Sequence, residues 1–457
     1  MAWTAALLVP AGVALILVWR ATAATGDRLP AAPAATGIAL GMASVIWSAL
    51  FFAGIQSRPL LVGLDLLAWA AVLGGGLAFT RSRRDGVEPG GAVADAGPLI
   101  TAAAVTLLVA TAATAAVSFV SVSAVYPHGE WDAWAQWNLR ARFFARGLAD
   151  GAWREAFAPV LAWSHADYPP LVPSSVARLW IYAGRETVLA PIAFGGTMAL
   201  CTVLTAGLAT ARTRGAARGC LAAAAILACP SFVRYTSSQC ADIALAFFML
   251  AAFVAWSLAG PLAGAGRPRG WLGVAGLSAA LAAWTKNEGV AFFVVFVVVV
   301  ALERIRSAGW RGLKDLGPLL AGAAPALAIV VVFKTTLAPA SYFVAGRSMG
   351  EGVTALFDAP RAELIARAMA RELWLTGASL VGVIPFLCVF AGVRGLSAAA
   401  PNAARAAAPA MVLMIAIYAM AYLATPYDVA WQLKTSLDRL VVHIVPTLAW
   451  SMMTMSR

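Results

Sequence analysis

The chain has 457 residues, of which 61% are hydrophobic and only 12% are charged, and its mean hydropathy is +0.81. A soluble domain is about 45–50% apolar and about 25% charged, so this composition excludes a water-soluble globular enzyme. It also excludes a disordered chain, which requires low hydrophobicity. The five cysteines have no metal-binding spacing and lie in or beside apolar runs, which excludes a disulfide scaffold and a zinc module. A polytopic membrane protein remains.

Apolar runs recur along the whole chain. A membrane-spanning helix needs about 20 apolar residues, and several of the middle runs are shorter than that. Together they predict an all-α polytopic membrane protein, a bundle of about thirteen transmembrane helices. The runs are 1–19, 36–55, 59–80, 98–124, 187–211, 219–233, 241–260, 271–285, 289–302, 316–336, 374–393, 409–424 and 437–454.

The formal net charge of +12 comes from short Lys and Arg clusters between the apolar runs, a pattern that orients membrane helices and does not indicate a nucleic-acid partner. Alternation of the helices places four clusters on one side, which the positive-inside rule makes cytoplasmic. These clusters contain Arg81, Arg83, Arg84, Arg212, Arg214, Arg218, Arg267, Arg269, Arg304, Arg306, Arg311 and Lys314. Only six of the 21 acidic residues fall on that side: Asp27, Asp85, Glu88, Asp95, Glu303 and Asp315. The other acids gather at the outer side, where we expect the chemistry.

Residues 125–186 form the most polar long stretch of the outer side. Near its start two carboxylates flank a tryptophan in Glu130-Trp131-Asp132, and segment 132–146 has the periodicity of an amphipathic helix. We predict an apolar face of Trp134, Trp137, Ala141 and Phe144 and a polar face of Arg140, Arg142 and Arg146. Such a Trp-rich helix is expected in the membrane interface. Because Asp132 opens this helix, its carboxylate either caps the helix N-terminus or faces an active-site cavity.

The same outer stretch ends with the sequence His-Ala-Asp-Tyr-Pro-Pro-Leu at residues 165–171. The paired prolines interrupt the chain and fix its direction into the next apolar stretch, 171–183. That stretch contains Arg178 and is too short for a span, and a full span would move the Arg212 cluster to the outer side. We therefore predict a juxtamembrane or re-entrant helix.

Ionisable residues also occur at the outer ends of three later spans. Asp242 begins an apolar run, where a charge is costly by roughly 2.5–3.5 kcal/mol and is usually functional; the alternative is an interfacial carboxylate in contact with water. Lys286 lies in a tight polar turn, where it either meets an anion or extends to solvent. Arg439 enters the last run, where it either donates two parallel bonds to a phosphate or pairs with Asp438.

These motifs, taken in order, resemble those of the GT-C glycosyltransferases, most nearly the protein-O-mannosyltransferase and aminoarabinose-transferase branch. In that family an acidic residue opens the first large outer loop, as at 130–132, and a Pro-Pro-Leu element closes it, as at 168–171. A second Asp begins a span, as Asp242 does, and a Thr-Lys-Gly turn follows, to which 285–289 is similar with two residues inserted. The resemblance covers roughly 98–302.

Two of these motifs depart from the family pattern. The family often has an Asp-Glu dipeptide, whereas here Glu130 and Asp132 are separated by a tryptophan. The basic residue that precedes Pro-Pro-Leu in the family is replaced by Tyr168, with His165 and Asp167 nearby.

The resemblance implies a membrane glycosyltransferase that takes a sugar from a polyprenyl-phosphate donor at the outer face, by one inverting displacement. Asp132 is the expected general base, Glu130 is a second candidate, and Asp242 would orient the acceptor or a bound cation. Lys286 and Arg439 would stabilise the charge that develops on the leaving phosphate. Further substrate contacts are expected from Arg234, His165, Asp167, Tyr168 and Glu288.

The remaining expectations concern setting and partners. The acceptor is a protein, a lipid or a glycan, no cofactor is certain, and a divalent cation is left open. We expect a bacterial inner membrane, with the active site facing the periplasm. We divide the chain into an N-terminal three-helix module (1–85), a catalytic core (98–302) and C-terminal helices (303–457), with an outer segment (337–373) that forms a helix over the cavity.

Two other classes compete with the glycosyltransferase. A polytopic transporter or lipid flippase commonly has inverted repeats and polar residues at the membrane midplane, whereas here no repeat is evident and the polar residues gather at one face. A non-catalytic membrane scaffold fits the apolar composition but leaves the clustered outer acids unexplained.

Overall fold

The structure, a computed structural model, describes residues 2–22, 28–81, 96–260, 270–340, 357–378 and 380–457. Helices dominate these residues, which contain no strand beyond one isolated bridge, so the all-α prediction is confirmed. The α-helices are α1 (Ala2–Ala21), α2 (Arg28–Phe52), α3 (Arg58–Arg81), α4 (Pro98–Val125), α5 (Asn138–Arg146), α6 (Leu171–Ala183), α7 (Leu189–Arg214), α8 (Ala216–Leu227), α9 (Pro230–Ser237), α10 (Asp242–Leu258), α11 (Gly270–Thr285), α12 (Asn287–Ala308), α13 (Leu316–Thr336), α14 (Ala359–Leu375), α15 (Val383–Arg394), α16 (Asn402–Ala424) and α17 (Val429–Met455).

Seven segments of the described chain are long and apolar enough to cross a membrane, or eight if the bent pair α8 and α9 is one span. α10, α11 and α15 are shorter apolar helices. Every predicted apolar run coincides with or overlaps a helix, so the polytopic character is confirmed. Helix α14 begins within the predicted outer segment 337–373 and ends two residues beyond it. Residues 341–356 of that segment, which include Arg347 and Glu351, lie outside the described residues. So do several of the charges used for orientation, namely Asp27, Arg83, Arg84, Asp85, Glu88, Asp95, Arg267 and Arg269.

Two predicted runs are not single helices. Run 219–233 is divided between α8 and α9, which meet at an angle of 63°. Pro230 is the first residue of α9, and its missing N–H cannot continue the hydrogen bonding of α8. In run 374–393 the chain leaves α14 through Thr376 and Gly377, both in the left-handed region, and α15 begins only at Val383. Gly377 takes a φ of 78° that other residues rarely adopt.

Helix α6, which the sequence predicts as juxtamembrane or re-entrant, is buried within the protein along nearly its whole length. Helix α2 covers it: the Ser44 hydroxyl donates to the Leu171 carbonyl at 3.0 Å, and Ser48 bonds Ser174 at 2.8 Å. Buried side chains of α2 also belong to the same hydrophobic core as those of α10. The N-terminal helices are therefore an integral part of the bundle.

An ion pair lies between α3 and α6. Arg178 donates from Nε and Nη2 to Oδ2 of Asp65 at 3.1 and 2.7 Å, and the Tyr182 hydroxyl donates to the same oxygen at 2.6 Å. Both charged side chains are almost fully buried. Arg178, which interrupts the apolar sequence of α6, is thus neutralised inside the protein.

The two ends of the bundle differ in charge. The C-terminal ends of α4, α11 and α16 and the N-terminal ends of α10, α12 and α17 lie at one end, with the segment 130–168. At the opposite end Arg214 and Arg218 donate to the carbonyls of Thr454 and Ser456, at the C-terminal end of α17. Arg394 donates to the Arg457 carbonyl at 3.0 Å at the same end. The first end carries the candidate site.

Candidate active site

A cavity of about 890 Å³ opens between segment 130–168, α9, α12, α16 and α17. Eight of the ten predicted site residues line it: Glu130, Asp132, His165, Tyr168, Arg234, Lys286, Glu288 and Arg439. The other two, Asp167 and Asp242, contact lining residues from behind the wall. The structure therefore brings together residues as far apart in the chain as Glu130 and Arg439, which are separated by 309 positions.

Asp242, the first residue of α10, has no exposed surface. Its Oδ1 accepts from Lys286 Nζ at 2.9 Å and contacts His443 Nε2 at 2.7 Å, and its Oδ2 accepts from Arg439 Nη2 at 2.9 Å. The alternative of a water-exposed interfacial carboxylate is therefore wrong. A carboxylate this deeply buried is tolerated because basic side chains surround it, and in return it fixes their positions.

Arg439 joins two carboxylates. Its Nε and Nη2 bond Asp242, and its Nη1 forms an ion pair with Oδ2 of Asp132. The alternative pairing with the side chain of Asp438 is not formed. Asp438 instead accepts from the Tyr235 hydroxyl at 2.5 Å and from the backbone N–H of Arg439 at 2.9 Å. The Arg439 side chain keeps 15% of its surface exposed, so it is the link between the buried carboxylate and the cavity.

Asp132 is not a helix N-cap. The helix already includes Trp131, and Asp132 has helical dihedral angles and makes no capping bond. Its side chain, 17% exposed, is directed to Arg439 instead. The second outer carboxylate, Glu130, accepts from Arg234 Nη2 at 3.0 Å, and the Arg234 side chain is 57% exposed. The two predicted carboxylates thus line one cavity but have different cationic partners.

The amphipathic segment is a π-helical turn (Ala133–Trp137) continued by α5. Trp137, Ala141 and Phe144 are buried as predicted, whereas Trp134 is partly exposed. The prediction that Arg140 lies on the polar face is wrong. Arg140 is fully buried and donates to the carbonyls of His165 and Tyr168 at 2.8 and 3.3 Å, which ties the helix to the end of the outer stretch. Burial lowers the pKa of Arg140 to about 10.

The residues before Pro-Pro-Leu form an aromatic stack. The His165 ring stacks on Tyr168 at 5.2 Å between centroids, and Tyr168 stacks on Trp137 at 5.9 Å. Burial lowers the pKa of His165 and raises the pKa of Tyr168 well above 10, so both side chains are neutral near pH 7. Lys286 Nζ lies 5.7 Å from the centre of the Tyr168 ring. Tyr168, which replaces the basic residue of the family pattern, therefore contacts a cation supplied by another segment.

Lys286 does not extend to solvent, as the alternative interpretation of its turn would require. Its side chain is only 3% exposed, and besides Asp242 it contacts Oε1 of Glu288 at 3.1 Å. Behind the wall Asp167 accepts from Asn287 Nδ2 at 2.8 Å, and Lys334 donates to the Asp167 carbonyl at 2.6 Å. Asp167 therefore supports the cavity wall and does not line the cavity.

Several residues of the site are missing from the sequence prediction. His443 contacts Asp242 through Nε2, and its Nδ1 lies 3.2 Å from the Tyr418 hydroxyl, which lines the cavity. The available signal was helical spacing, because His443 follows Arg439 by four positions and so lies on the same face of α17. Tyr235, Tyr422 and Lys334 had no comparable local signal.

Helix α14 does not have its predicted place over the cavity. None of the lining residues comes from α14, within the part of the chain that the structure describes. Arg361 of α14 donates to the carbonyl of Tyr422 at 3.0 Å, so the helix lies beside the end of α16. The residues around the cavity include the aromatic side chains Trp131, Trp163, Tyr427 and Trp431.

A metal site was left open by the sequence. Among the described residues, no three His, Cys, Asp or Glu side chains are grouped so as to hold a metal ion.

Comparison with known proteins finds a family model that matches part of the chain. Residues 164–340 match the family model of the dolichyl-phosphate-mannose-protein mannosyltransferases, which belong to the GT-C superfamily, so the resemblance is confirmed. The matched region includes Tyr168, Asp242 and Lys286 but neither Asp132 nor Arg439. No significant match was found among curated proteins or among solved structures. The members of that family are membrane mannosyltransferases that use a polyprenyl-phosphate-linked sugar.

Proposed function

We propose that this protein transfers a mannosyl group from a polyprenyl-phosphate donor to an acceptor hydroxyl at the outer face of the membrane, with inversion at the anomeric carbon. One observation carries the proposal. A single cavity in a polytopic helical protein brings the carboxylates of Glu130 and Asp132 together with Lys286 and Arg439, beside a region that matches the mannosyltransferase family.

The carboxylate side of the cavity suits activation of the acceptor. A hydroxyl is a weak nucleophile, and a positioned base that accepts its proton typically contributes about 10²–10⁴-fold in rate. Asp132 is our first candidate because it lines the cavity next to Arg439, which we assign to the leaving phosphate. Glu130 is the second candidate and lies nearer to the exposed Arg234.

The cationic side suits departure of the phosphate. Charge develops on the bridging oxygen as its bond to the sugar breaks, and donors fixed in advance stabilise that charge most effectively. Arg439 and Lys286 are fixed because both bond Asp242. We assign Asp242 a positioning role, since its buried carboxylate has no surface on the cavity. Arg234 is held less firmly, since more than half of its side chain is exposed.

The prenyl chain of the donor requires an apolar path from the bilayer. Ala291 of α12 and Ile417 and Ala421 of α16 line the cavity. On α12 the exposed side chains of Val294 and Val298 continue this apolar surface away from the cavity. We propose that the isoprenoid lies along these two helices, which would leave its phosphate near Arg439.

The outer location is supported by the charge at the two ends of the bundle. Arg214, Arg218 and Arg394 lie at the end opposite the cavity, around the C-terminus of α17. Because cytoplasmic loops carry an excess of Lys and Arg, the cavity end is assigned to the outer side.

The decisive experiment is a transfer assay with the purified full chain in lipid nanodiscs. The donor is a polyprenyl-phosphate mannose of known anomeric configuration. The acceptors are a hydroxyl-bearing peptide, a glycolipid and an oligosaccharide, tried separately. We expect mannose on one of them with the opposite anomeric configuration. Retention of configuration would contradict the single displacement, and no transfer to any acceptor would contradict the proposed activity.

The same donor also tests the alternative of a transporter or flippase. In sealed vesicles such a protein would move the intact donor between leaflets and leave the bond between mannose and phosphate unbroken. We expect bond cleavage that depends on the acceptor. Movement of intact donor without any cleavage would favour the transporter.

Membrane sidedness needs its own measurement. We would introduce Trp131→Cys at the cavity and, as a matched control, Arg306→Cys in the exposed part of α12 at the opposite end. Each variant is treated in intact cells with a maleimide that does not cross membranes. We expect labelling at position 131 and none at 306 until the cells are opened. The reverse pattern would place the cavity at the cytoplasmic face.

A further inference from the structure

The guanidinium of Arg439 is bonded by carboxylates of the protein itself. Each of its three side-chain nitrogens contacts a carboxylate oxygen, two on Asp242 and one on Asp132. A phosphodiester that binds this guanidinium must therefore compete with a carboxylate that is already there. The question is which of the two carboxylates gives way.

The local charge makes this competition strong. Around Arg439 and Lys286 lie the carboxylates of Asp132, Asp242 and Glu288, so three negative side chains face two permanent cations. His443 adds at most one positive charge. A phosphodiester brings a further negative charge into this cluster, and like charges at such distances oppose binding. Binding is most favourable when one carboxylate moves away as the phosphate arrives.

Burial selects Asp132 as the carboxylate that moves. Asp242 has no exposed surface and bonds three basic side chains, so its removal would leave uncompensated charges inside the protein. Asp132 lies at the cavity surface, is 17% exposed, and pairs with Arg439 alone among the cations of the described chain. A carboxylate that can be rehydrated loses little when its ion pair opens.

We propose that the phosphate of the donor displaces Asp132 from Arg439, so that the carboxylate becomes available as a base only when the donor is bound. This inference rests on the proposed function and adds a regulation of the same site. While Asp132 is paired with Arg439, it is a poor proton acceptor. With the phosphate on Arg439, Asp132 is released on the side from which the acceptor hydroxyl approaches.

The same exchange returns the site to its starting state. In the transfer step the acceptor oxygen bonds the anomeric carbon as the bond from that carbon to the phosphate oxygen breaks. The electron pair leaves with the phosphate, and the hydroxyl proton passes to Asp132. A protonated Asp132 does not compete for Arg439. Once it releases the proton to water, its negative charge competes again and expels the polyprenyl phosphate.

The test measures affinity for polyprenyl phosphate without a sugar, using the full chain in nanodiscs. Removing the competing charge with Asp132→Asn should tighten binding about three-fold or more. Asp132→Ser serves as a second neutral variant. Asp438→Asn is the matched control, because this carboxylate also lines the cavity but bonds Tyr235 and the backbone, not the guanidinium of Arg439. Asp438→Asn should change the affinity for polyprenyl phosphate by less than about two-fold, which is well below the effect expected for Asp132→Asn.

A double-mutant cycle identifies the guanidinium as the shared partner. With Arg439→Gln in place, Asp132→Asn should no longer tighten binding beyond the control. Equal tightening with and without Arg439, equal tightening by Asp438→Asn, or no tightening by either neutral variant of Asp132 would each overturn the proposal. These outcomes do not depend on turnover. Failure of the proposed function would instead appear as absent sugar transfer by the wild-type protein.

Discussion

Two buried aspartates, Asp65 and Asp242, show how similar pairings serve different purposes. Each has no exposed surface, and each accepts from Nε and Nη2 of one arginine. Asp65 pairs with Arg178 and lies inside the bundle between α3 and α6. Asp242 has three basic partners, and two of them, Lys286 and Arg439, line a cavity.

The difference shows which feature indicates a site. A balanced ion pair without a cavity neutralises two charges and joins two helices. A carboxylate that bonds several basic side chains next to a cavity positions those side chains for a ligand. Burial and pairing alone do not distinguish them. The comparison therefore predicts that Asp65 contributes to stability, whereas the residues around Asp242 contribute to transfer.

The largest expected effect is the loss of stability when the ion pair between Asp65 and Arg178 is broken. Asp65→Asn leaves Arg178 buried without its counter-charge, which should lower the free energy of unfolding by about 3–5 kcal/mol. Thermal unfolding of the purified variant in detergent would measure this. Transfer per folded molecule should stay close to that of the wild type. A large loss of turnover with an unchanged unfolding temperature would show that Asp65 contributes to transfer and not to stability.

Replacing Asp65, Arg178 and Tyr182 together tests whether this ion pair does more than neutralise two charges. A triple variant, Asp65→Leu with Arg178→Met and Tyr182→Phe, has no buried charge or unpaired hydroxyl at these positions. Buried ion pairs are often replaced by apolar residues without loss of stability, so most of the unfolding temperature should be recovered. If the triple variant is as unstable as Asp65→Asn, the ion pair between Asp65 and Arg178 stabilises the fold beyond neutralising its two charges.

Among the residues around Asp242, the expected loss is in the rate of transfer. Arg439→Gln removes a donor aimed at the developing phosphate charge, which should reduce the transfer rate about 10²–10³-fold. Initial rates at saturating donor would measure it, with Arg361→Gln as the matched control on α14 outside the cavity lining. A rate for Arg439→Gln within a few-fold of the wild type would remove Arg439 from the phosphate site.

A smaller effect concerns acid stability. Burial lowers the pKa of His165 below its usual 6.5. On acidification the unfolded chain therefore binds this proton before the folded chain does, so acid favours unfolding. Stability should fall less steeply below pH 6.5 in His165→Gln than in the wild type. If the unfolding temperature falls with pH equally in the wild type and in His165→Gln, the pKa of His165 is not lowered by burial.

The smallest effect is expected at a surface pair outside both clusters. Glu186 accepts from Arg142 and Arg146, and the Arg146 side chain is largely exposed. Exposed pairs contribute about 0–1 kcal/mol, so Glu186→Gln should change the unfolding temperature little and leave transfer unchanged. If Glu186→Gln destabilises the protein as much as Asp65→Asn does, the stabilising effect of an ion pair in this protein does not depend on its burial.

Much of the fold follows from the sequence because apolar runs long enough for a bilayer can form little but helices. The errors occur where the local chain geometry overrides hydropathy. Pro230 divides one run, and the left-handed residues Thr376 and Gly377 postpone another helix to Val383. The short length of α6 correctly set it apart from the spans, but nothing in the local sequence predicted that α2 would cover it.

The site was predicted less completely, because its partners come from distant segments. Local motifs identify Asp132, Asp242 and Lys286, but no local signal pairs Asp132 with Arg439. Helical periodicity also assigned Arg140 to a polar face, whereas carbonyls of the later loop satisfy it inside the protein. A side chain's neighbours depend on tertiary structure, which periodicity does not describe.

The central claim is that Asp132 is the base within this cavity. Its most direct test is the single-turnover rate of mannosyl transfer by Asp132→Asn, saturated with polyprenyl-phosphate mannose and compared with wild type. The account predicts a fall of about 10²–10⁴-fold, because donor binding is retained while the proton acceptor is lost. A single-turnover rate equal to that of the wild type would contradict it.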